Sequence, residues 1–394
     1  MNLLLDGLLN LSAWGYVGAT FLVTHITIVA VTIFLHRSQS HNSLTLHPII
    51  SHIFRFWLWM TTGIVTREWV AVHRKHHVKC ETDDDPHSPQ TRGLKKVLWQ
   101  GYELYRAEAN QSETLEKYGN GTPDDWIERK LYSRFPWLGI ALLLPINITL
   151  FGVIGLTIFA IQMIWIPFWA AGVINGMGHY LGYRNFETPD ASRNISPWGI
   201  LIGGEELHNN HHSYATSAKL SNKWWEIDLG WFYIRCLEIL KLAKVKKLAA
   251  RAIIVTDKHS IDIETVRAVI RNRFYILKLY ARKVTKPMLK QQQRNNKLAY
   301  RKLLRRASKL LTREDIILDG DKRRRLDAAL NYSHTIETVY QFKQQLKEIW
   351  VKSSHDQVRR VQRLQAWCVE AEKSGIEVLQ EFAFHLRGYT LQLR

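Results

Sequence analysis

The 394-residue sequence predicts an all-α fold: an integral membrane helical bundle of about three spans plus an in-plane helix, capped by a cytosolic His-rich helical domain and followed by a basic helical C-terminal extension. Three observations carry this reading. Apolar stretches at Trp14–Leu35, Trp137–Phe159 and Ile161–Gly178 each reach the roughly 17–25 residues that cross a bilayer. Thirteen of 17 histidines lie between His25 and His212. Charge is divided unevenly: residues 231–394 hold 36 Lys and Arg against 16 Asp and Glu, whereas residues 1–230 hold 18 against 19. The chain therefore reads as two regions, 1–245 and 246–394.

The first apolar stretch has no positive n-region and no small-residue cleavage site, so it is expected to stay in the mature protein. Ile49–Val65 contains His52 and Arg55 and is bracketed by His47 and Arg67, which suits a helix in the interface better than a span. The second and third spans are barely separated and predict a helical hairpin around Gln162. Asp83-Asp84-Asp85-Pro86 reads as a turn. Trp224-Trp225 suits a membrane interface. Cys80, Cys236 and Cys368 are odd in number and far apart, which excludes a disulfide-stapled secreted scaffold.

The histidines form three clusters: His36 with His41, His73 with His76 and His77, and His208 with His211 and His212. In the last two, positions i, i+3 and i+4 share one helix face, so three imidazoles can point at one place. His36 and His41 would lie about 140° apart on an ideal helix, so they straddle a wide site or the helix frays there. Asn175 and His179 form an i, i+4 pair at the end of the third span. Imidazole binds Zn, Cu, Fe and Ni. Eight clustered histidines plus His179 exceed what one four-coordinate zinc needs and suit two metal ions. The clusters meet only if all lie on one side of the membrane. The basic segments that follow place that side in the cytoplasm, with the N-terminus outside.

On these motifs the sequence resembles the integral-membrane di-iron fatty acid desaturases, in particular the acyl-CoA/stearoyl-CoA delta-9 branch, over roughly residues 14–245. The resemblance includes Glu68-Trp69 ahead of the second cluster, Asp85-Pro86-His87 with Arg92-Gly93, Gly182-Tyr183-Arg184 after His179, and Gly204-Glu205 ahead of the third cluster. It implies that His36, His41, His73, His76, His77, His179, His208, His211 and His212 ligate two Fe ions and that Asn175 reaches one of them through water. No catalytic residue beyond the ligands is implied. O2 is the co-substrate, and the product is a cis double bond, of delta-9 type, in a saturated C16–C18 chain carried as acyl-CoA or membrane lipid, the former expected. The family has Gly and an aromatic where this chain has Glu206 and Leu207; these two are expected to tune the substrate pocket.

The residues agree with such chemistry. An alkyl chain offers no acidic proton and no leaving group, so its dehydrogenation calls for a metal–oxygen oxidant and a dry channel in which position selects the carbon. The chain has no dinucleotide fingerprint and no four-cysteine cluster spacing. Electrons are therefore expected from a separate NAD(P)H-dependent reductase, with or without ferredoxin. The expected location is a bacterial inner membrane, with site and C-terminus cytoplasmic. Two other readings stand beside this one: a di-iron fatty acyl or alkane hydroxylase, and a non-catalytic metal-binding membrane protein with a DNA-binding tail.

Residues 241–310 hold 21 Lys and Arg against three acids, and the C-terminal region reads as a helical bundle or docking arm. Residues 337–394 resemble the C-terminal helical region of a transposase family at Trp350, Trp367, Gly375 and Phe382, but no matching catalytic carboxylates accompany them. The expected contact is membrane lipid or an acidic electron donor rather than nucleic acid. Outside the clusters, His25 is expected to be an interior hydrogen-bonded group, and His87 lies outside the ligand set. Arg37, Arg74 and Lys75 suit a cytoplasmic interface. His47, His52, His259, His334, His355 and His385 are isolated and not expected to bind metal.

Overall fold

Residues 13–40 form one continuous helix whose hydrogen-bond register changes partway. Ser12 caps it, its Oγ accepting from Gly15 N at 3.2 Å. Ala13–Ala30 is α-helical and Val31–Ser40 is π-helical. In the π register the amide of residue i+5 reaches the carbonyl of residue i, and His41 N donates to His36 O at 3.2 Å. The two rings, expected on divergent faces, therefore meet edge to face on one side with centroids 4.9 Å apart.

These coordinates are a computed structural model describing the chain apart from residues 1, 2, 251, 257, 259, 315, 317, 352–355 and 392–394, so His259 and His355 lie outside the described residues. The chain divides into two units, Met1–Arg184 with Asp190–Ala249, and Asn185–Pro189 with Ala250–Arg394.

In the first unit, Ala13–Ser40 and Ile154–Met177 are long and apolar enough to cross a membrane, while the apolar helix Pro136–Phe151 is shorter. The hairpin turns at Gly152 (φ +64°), not at Gln162. A Cβ at Gly152 would lie 2.3 Å from Leu5 O, so glycine is required there. Gln162 instead sits inside the second helix, where its Oε1 accepts from Asn147 Nδ2 at 3.0 Å and the two buried amides satisfy each other. The turn was illegible because Gly-Val-Ile-Gly continues the apolar run.

Pro48–Thr62 starts with proline at its first turn and ends at Gly63 in the left-handed region. It exposes Ile49, Ile53 and Phe56 and buries Arg55, Leu58 and Trp59. That is an amphipathic surface helix. Arg55 is held by Asp125 Oδ1 and Glu128 Oε2, both at 2.9 Å. Arg55→Ala leaves the Glu128 carboxylate buried without its cation, a loss of about 3–5 kcal/mol. Asp125→Asn, at a partner whose side chain is 43% exposed, should cost about 1 kcal/mol or less. Intrinsic-fluorescence melting in micelles reads both.

Leu94–Ala109 lies tight along Pro167–Met177 because Gly101 and Gly172 let the backbones meet. A Cβ on either would come within 2.5 Å of a carbonyl oxygen, Ala171 O or Leu98 O respectively. This contact fixes the helix that ends in Asn175 and His179. Leu44–Leu46 pairs antiparallel with Ala243–Val245, tying the chain just after His41 to the end of the unit.

The second unit is a helical bundle around its own core, which includes Tyr280, Leu304, Leu346, Trp367 and Phe382. An Asp262–Thr265 capping box starts its helix Ile263–Arg271, and Ala252–Ile254 pairs antiparallel with Tyr389–Leu391. The segment Asn185–Pro189 belongs to this unit. Glu187 N donates to Phe274 O at 3.0 Å, and its carboxylate pairs with Arg313 at 3.3 Å.

Candidate metal centre

Nine imidazoles from four separate places in the sequence converge in two groups. His36, His41, His73, His77 and His211 form one; His76, His179, His208 and His212 form the other. Within each group the available ligand nitrogens all lie within 4.8 Å of one another. Each HxxHH cluster therefore serves two places rather than one. Its i and i+4 rings go to the same group, while the i+3 ring crosses to the other.

The Nε2 atoms of His36 and His211 are 3.0 Å apart, those of His41 and His73 2.9 Å, and those of His77 and His211 2.8 Å. In the second group His179 Nε2 lies 3.2 Å from that of His76 and 3.0 Å from that of His208. Two nitrogens bound at about 2.1 Å to one ion at right angles would be about 3.0 Å apart, so both donor sets fit a first-row metal. Among the described residues, His212 Nε2 is buried with no hydrogen-bond partner. Buried polar atoms are ordinarily paired, so an unpartnered imidazole nitrogen here suits a metal ligand.

Carboxylates hold the opposite face of four rings. Nδ1 of His36 lies 2.8 Å from Glu205, that of His76 3.0 Å from Asp85, that of His179 3.1 Å from Glu81, and that of His212 3.1 Å from Asp190. Such partners fix ring orientation and make the ligand nitrogen more basic. Asp85 is itself fixed by the amides of Glu81 and His87 at 2.7 and 3.1 Å. Glu81 and Asp190 sit in no motif, and sequence reasoning did not single them out.

Burial, and after it the neighbouring imidazoles, push His41, His73, His77, His208 and His211 well below the ordinary value of 6.5. Burial takes His212 down to about 4 despite Asp190. These rings stay neutral, the form that binds metal. His76 differs: burial opposes its charge, but Asp85, with Asp190 and Glu81, together raise it. The metal-free fold should lose stability as pH falls from 6.5 towards 4, because the unfolded chain takes up protons that the folded site refuses. The slope is about 1.4 kcal/mol per pH unit for each such histidine. His76 adds no slope in this window: its contribution is fully present below 6.5 and is lost only as pH rises above it. Melting temperature against pH in the presence of chelator reads the slope.

A cavity of about 510 Å³ opens onto both groups. Ile28, Val31, Ile140, Phe159, Met163 and Ile166 give it apolar walls; His36, His73, His208, Asn175 and Glu205 line it as well. That volume lies in the range of small-molecule sites. Asn175 thus faces the cavity. His87 also lines it, stacked on His76 at 4.4 Å between centroids.

Glu206 and Leu207 do not line this cavity, contrary to expectation. The Glu206 carboxylate accepts from Ile202 N at 2.9 Å and Gly204 N at 3.1 Å, pinning the turn that presents Glu205. Burial raises its pKa. Glu206→Gly should therefore cost about 1–3 kcal/mol of stability while leaving the chain-length profile of the products unchanged by gas chromatography.

His25 bonds the Tyr233 hydroxyl at 2.9 Å, an interior contact as expected. Arg37 is buried, with Asp228 oxygens at 2.9 and 3.2 Å and carbonyls of Gly203 and Ala218. Arg74 donates to four backbone carbonyls and Lys75 pairs with Glu108. Arg37 and Arg74 thus serve internal structure. His47 caps a helix, and His52, His334 and His385 join no cluster among the described residues.

A family model described as Fatty acid desaturase matches residues 11–231, and one described as Transposase matches residues 265–392. The chain is 30% identical over 243 residues to the sn-1 stearoyl-lipid 9-desaturase of Synechocystis sp., covering 60% of this chain and 73% of that protein. It is 29% identical over 241 residues to the sn-1 stearoyl-lipid 9-desaturase of Anabaena variabilis, covering 60% and 86%. It is 27% identical over 252 residues to Delta-9 acyl-lipid desaturase 2 of Arabidopsis thaliana, covering 61% and 77%.

Proposed function

Because the chain belongs to the fatty acid desaturase family, we propose that it introduces a cis double bond of delta-9 type into a saturated C16–C18 acyl chain, with O2 as co-substrate and two iron ions held by the nine histidines. What supports this reading is the juxtaposition of two imidazole groups with one apolar cavity. Bound there, iron supplies the redox chemistry by which O2 becomes able to remove hydrogen from an alkyl chain. The protein's own part is positional. Glu205, Asp85, Glu81 and Asp190 orient four of the rings. The apolar walls hold the alkyl chain, each buried methylene contributing about 0.8 kcal/mol, and exclude water. Asn175, facing the cavity, is assigned a water-mediated contact with one ion.

Electrons come from a separate NAD(P)H-dependent reductase, with or without ferredoxin. The chain sits in a bacterial inner membrane, with Ala13–Ser40, Pro136–Phe151 and Ile154–Met177 crossing and the imidazoles and C-terminus cytoplasmic. The relatives' names specify acyl-lipid and stearoyl-lipid substrates, so a lipid-borne chain is the first to test and acyl-CoA the second. Gas chromatography–mass spectrometry of fatty acids from expressing cells, with adducts to place the double bond, should show new delta-9 monoenes. Hydroxy acids in their place would favour the hydroxylase reading. Supplying the purified protein and a donor system with stearoyl-CoA or stearoyl-phospholipid separates the two carriers.

A further inference from the structure

Residues 281–313 of the second unit carry twelve Lys and Arg and no Asp or Glu. They form a π-helical turn, Ala281–Thr285, and two helices in contact, Lys286–Asn295 and Leu298–Thr312. On the second helix Tyr300, Leu304, Ala307 and Leu311 are buried in the unit's core. Arg301, Arg305 and Lys309 recur every four residues on the other side and are exposed. The first helix repeats the pattern with Lys286, Lys290 and Arg294, also exposed. A spacing of four residues sets the charges about 6 Å apart along each helix. Apart from Arg313, none of the twelve has an ion pair or hydrogen-bond partner among the described residues.

The apolar faces of these helices are already used by the core, so what remains is a broad cationic face with no apolar wedge to insert. Leu298 is its one exposed large hydrophobic residue. The exposed Tyr332 beside it is stacked on Tyr300 at 3.6 Å between centroids, so one of its ring faces is already taken. We propose that this face docks electrostatically on the anionic phospholipid headgroups of the bilayer that holds the first unit. The proposal rests on the reading that the first unit spans that bilayer. The covalent tether then keeps the face at high effective concentration near the lipid surface, where juxtamembrane Lys and Arg are attracted to anionic headgroups.

The test is amine-acetylation footprinting of the full chain in nanodiscs of phosphatidylcholine alone or with about one-third phosphatidylglycerol. Acetylation of Lys286, Lys290, Lys302 and Lys309 should slow several-fold in the anionic discs, while Lys373, exposed elsewhere in the unit, is unchanged. About 0.5 M salt should restore the rates, because screening shortens the reach of these charges. R301Q/R305Q/R306Q, which leaves the lysine probes in place, should restore them at low salt. Equal rates in both discs, with the chain incorporated in both, overturn the proposal alone. A chain that enters neither disc overturns the membrane reading and the proposal with it. Protection by a 30-base-pair DNA duplex in zwitterionic discs, without protection by anionic lipid, assigns the face to nucleic acid instead and overturns it.

Discussion

His211→Ala should reduce desaturation to background and lower the iron content of the purified protein from about two per chain to one or less. His211 is the ring on which the first group closes, its Nε2 lying 3.0 Å from that of His36 and 2.8 Å from that of His77. Alanine removes a ligand from that group and leaves a gap that no neighbouring donor fills. The expected loss exceeds the roughly 10–100-fold that follows when only a ligand's hydrogen-bond partner is changed. Elemental analysis of protein from iron-replete cells, with turnover measured on the same sample, tests this. Normal turnover, or a single zinc in place of iron in the unmodified chain, would overturn the ligand assignment.

Asp85→Asn is the second large effect, expected at about 10–100-fold in activity or metal affinity. Burial alone would raise this carboxyl's pKa. The facing His76, with His87 and the Glu81 amide, holds it far below the carboxylate range instead. It accepts from two backbone amides as well as facing His76. An amide nitrogen in either oxygen's place would face a donor. His76 would then lose its orienting partner, and the group it shares with His179, His208 and His212 would loosen first. Iron should fall towards one per chain while the first group keeps its metal, which distinguishes this variant from His211→Ala. Full iron content with normal turnover would show that Asp85 only braces its loop.

The histidines were legible because metal chemistry needs particular side chains at particular spacings. Their partition was not. Whether His76 joins His73 or His179 depends on how separate helices pack, which no local pattern encodes. The i, i+5 spacing of His36 and His41 looked awkward because an α-helix was assumed; the π register that reconciles them has no compositional signature. Glu81 and Asp190 escaped notice because a lone acid in a loop looks solvated until the fold brings a ring to it. The hairpin turn was hidden by its lack of polar residues. The second unit's core was easier to read. Of its apolar residues, Leu277, Tyr280, Leu346, Leu364, Trp367 and Leu379 are buried, whereas Ile270, Phe274, Tyr340 and Trp350 are half-buried.

The segment Asn185–Pro189 has a consequence for the order in which the protein is made. Its neighbours in sequence, Arg184 and Asp190, fold with the first unit, but the segment itself folds with the second. Glu187 leaves the ribosome 126 residues before its partner Arg313. At about 5–20 residues per second, that is a wait of roughly 6–25 s. An earlier partner, the Phe274 carbonyl, follows Glu187 by 87 residues, so the stretch leading to Asp190, which holds His212, gains its hold in steps. Synthesis from the N-terminus therefore supplies all nine imidazoles before the partners of the segment beside one of the two groups. A ribosome stalled before residue 274 would display all nine imidazoles with Glu187 lacking both the Phe274 carbonyl and Arg313.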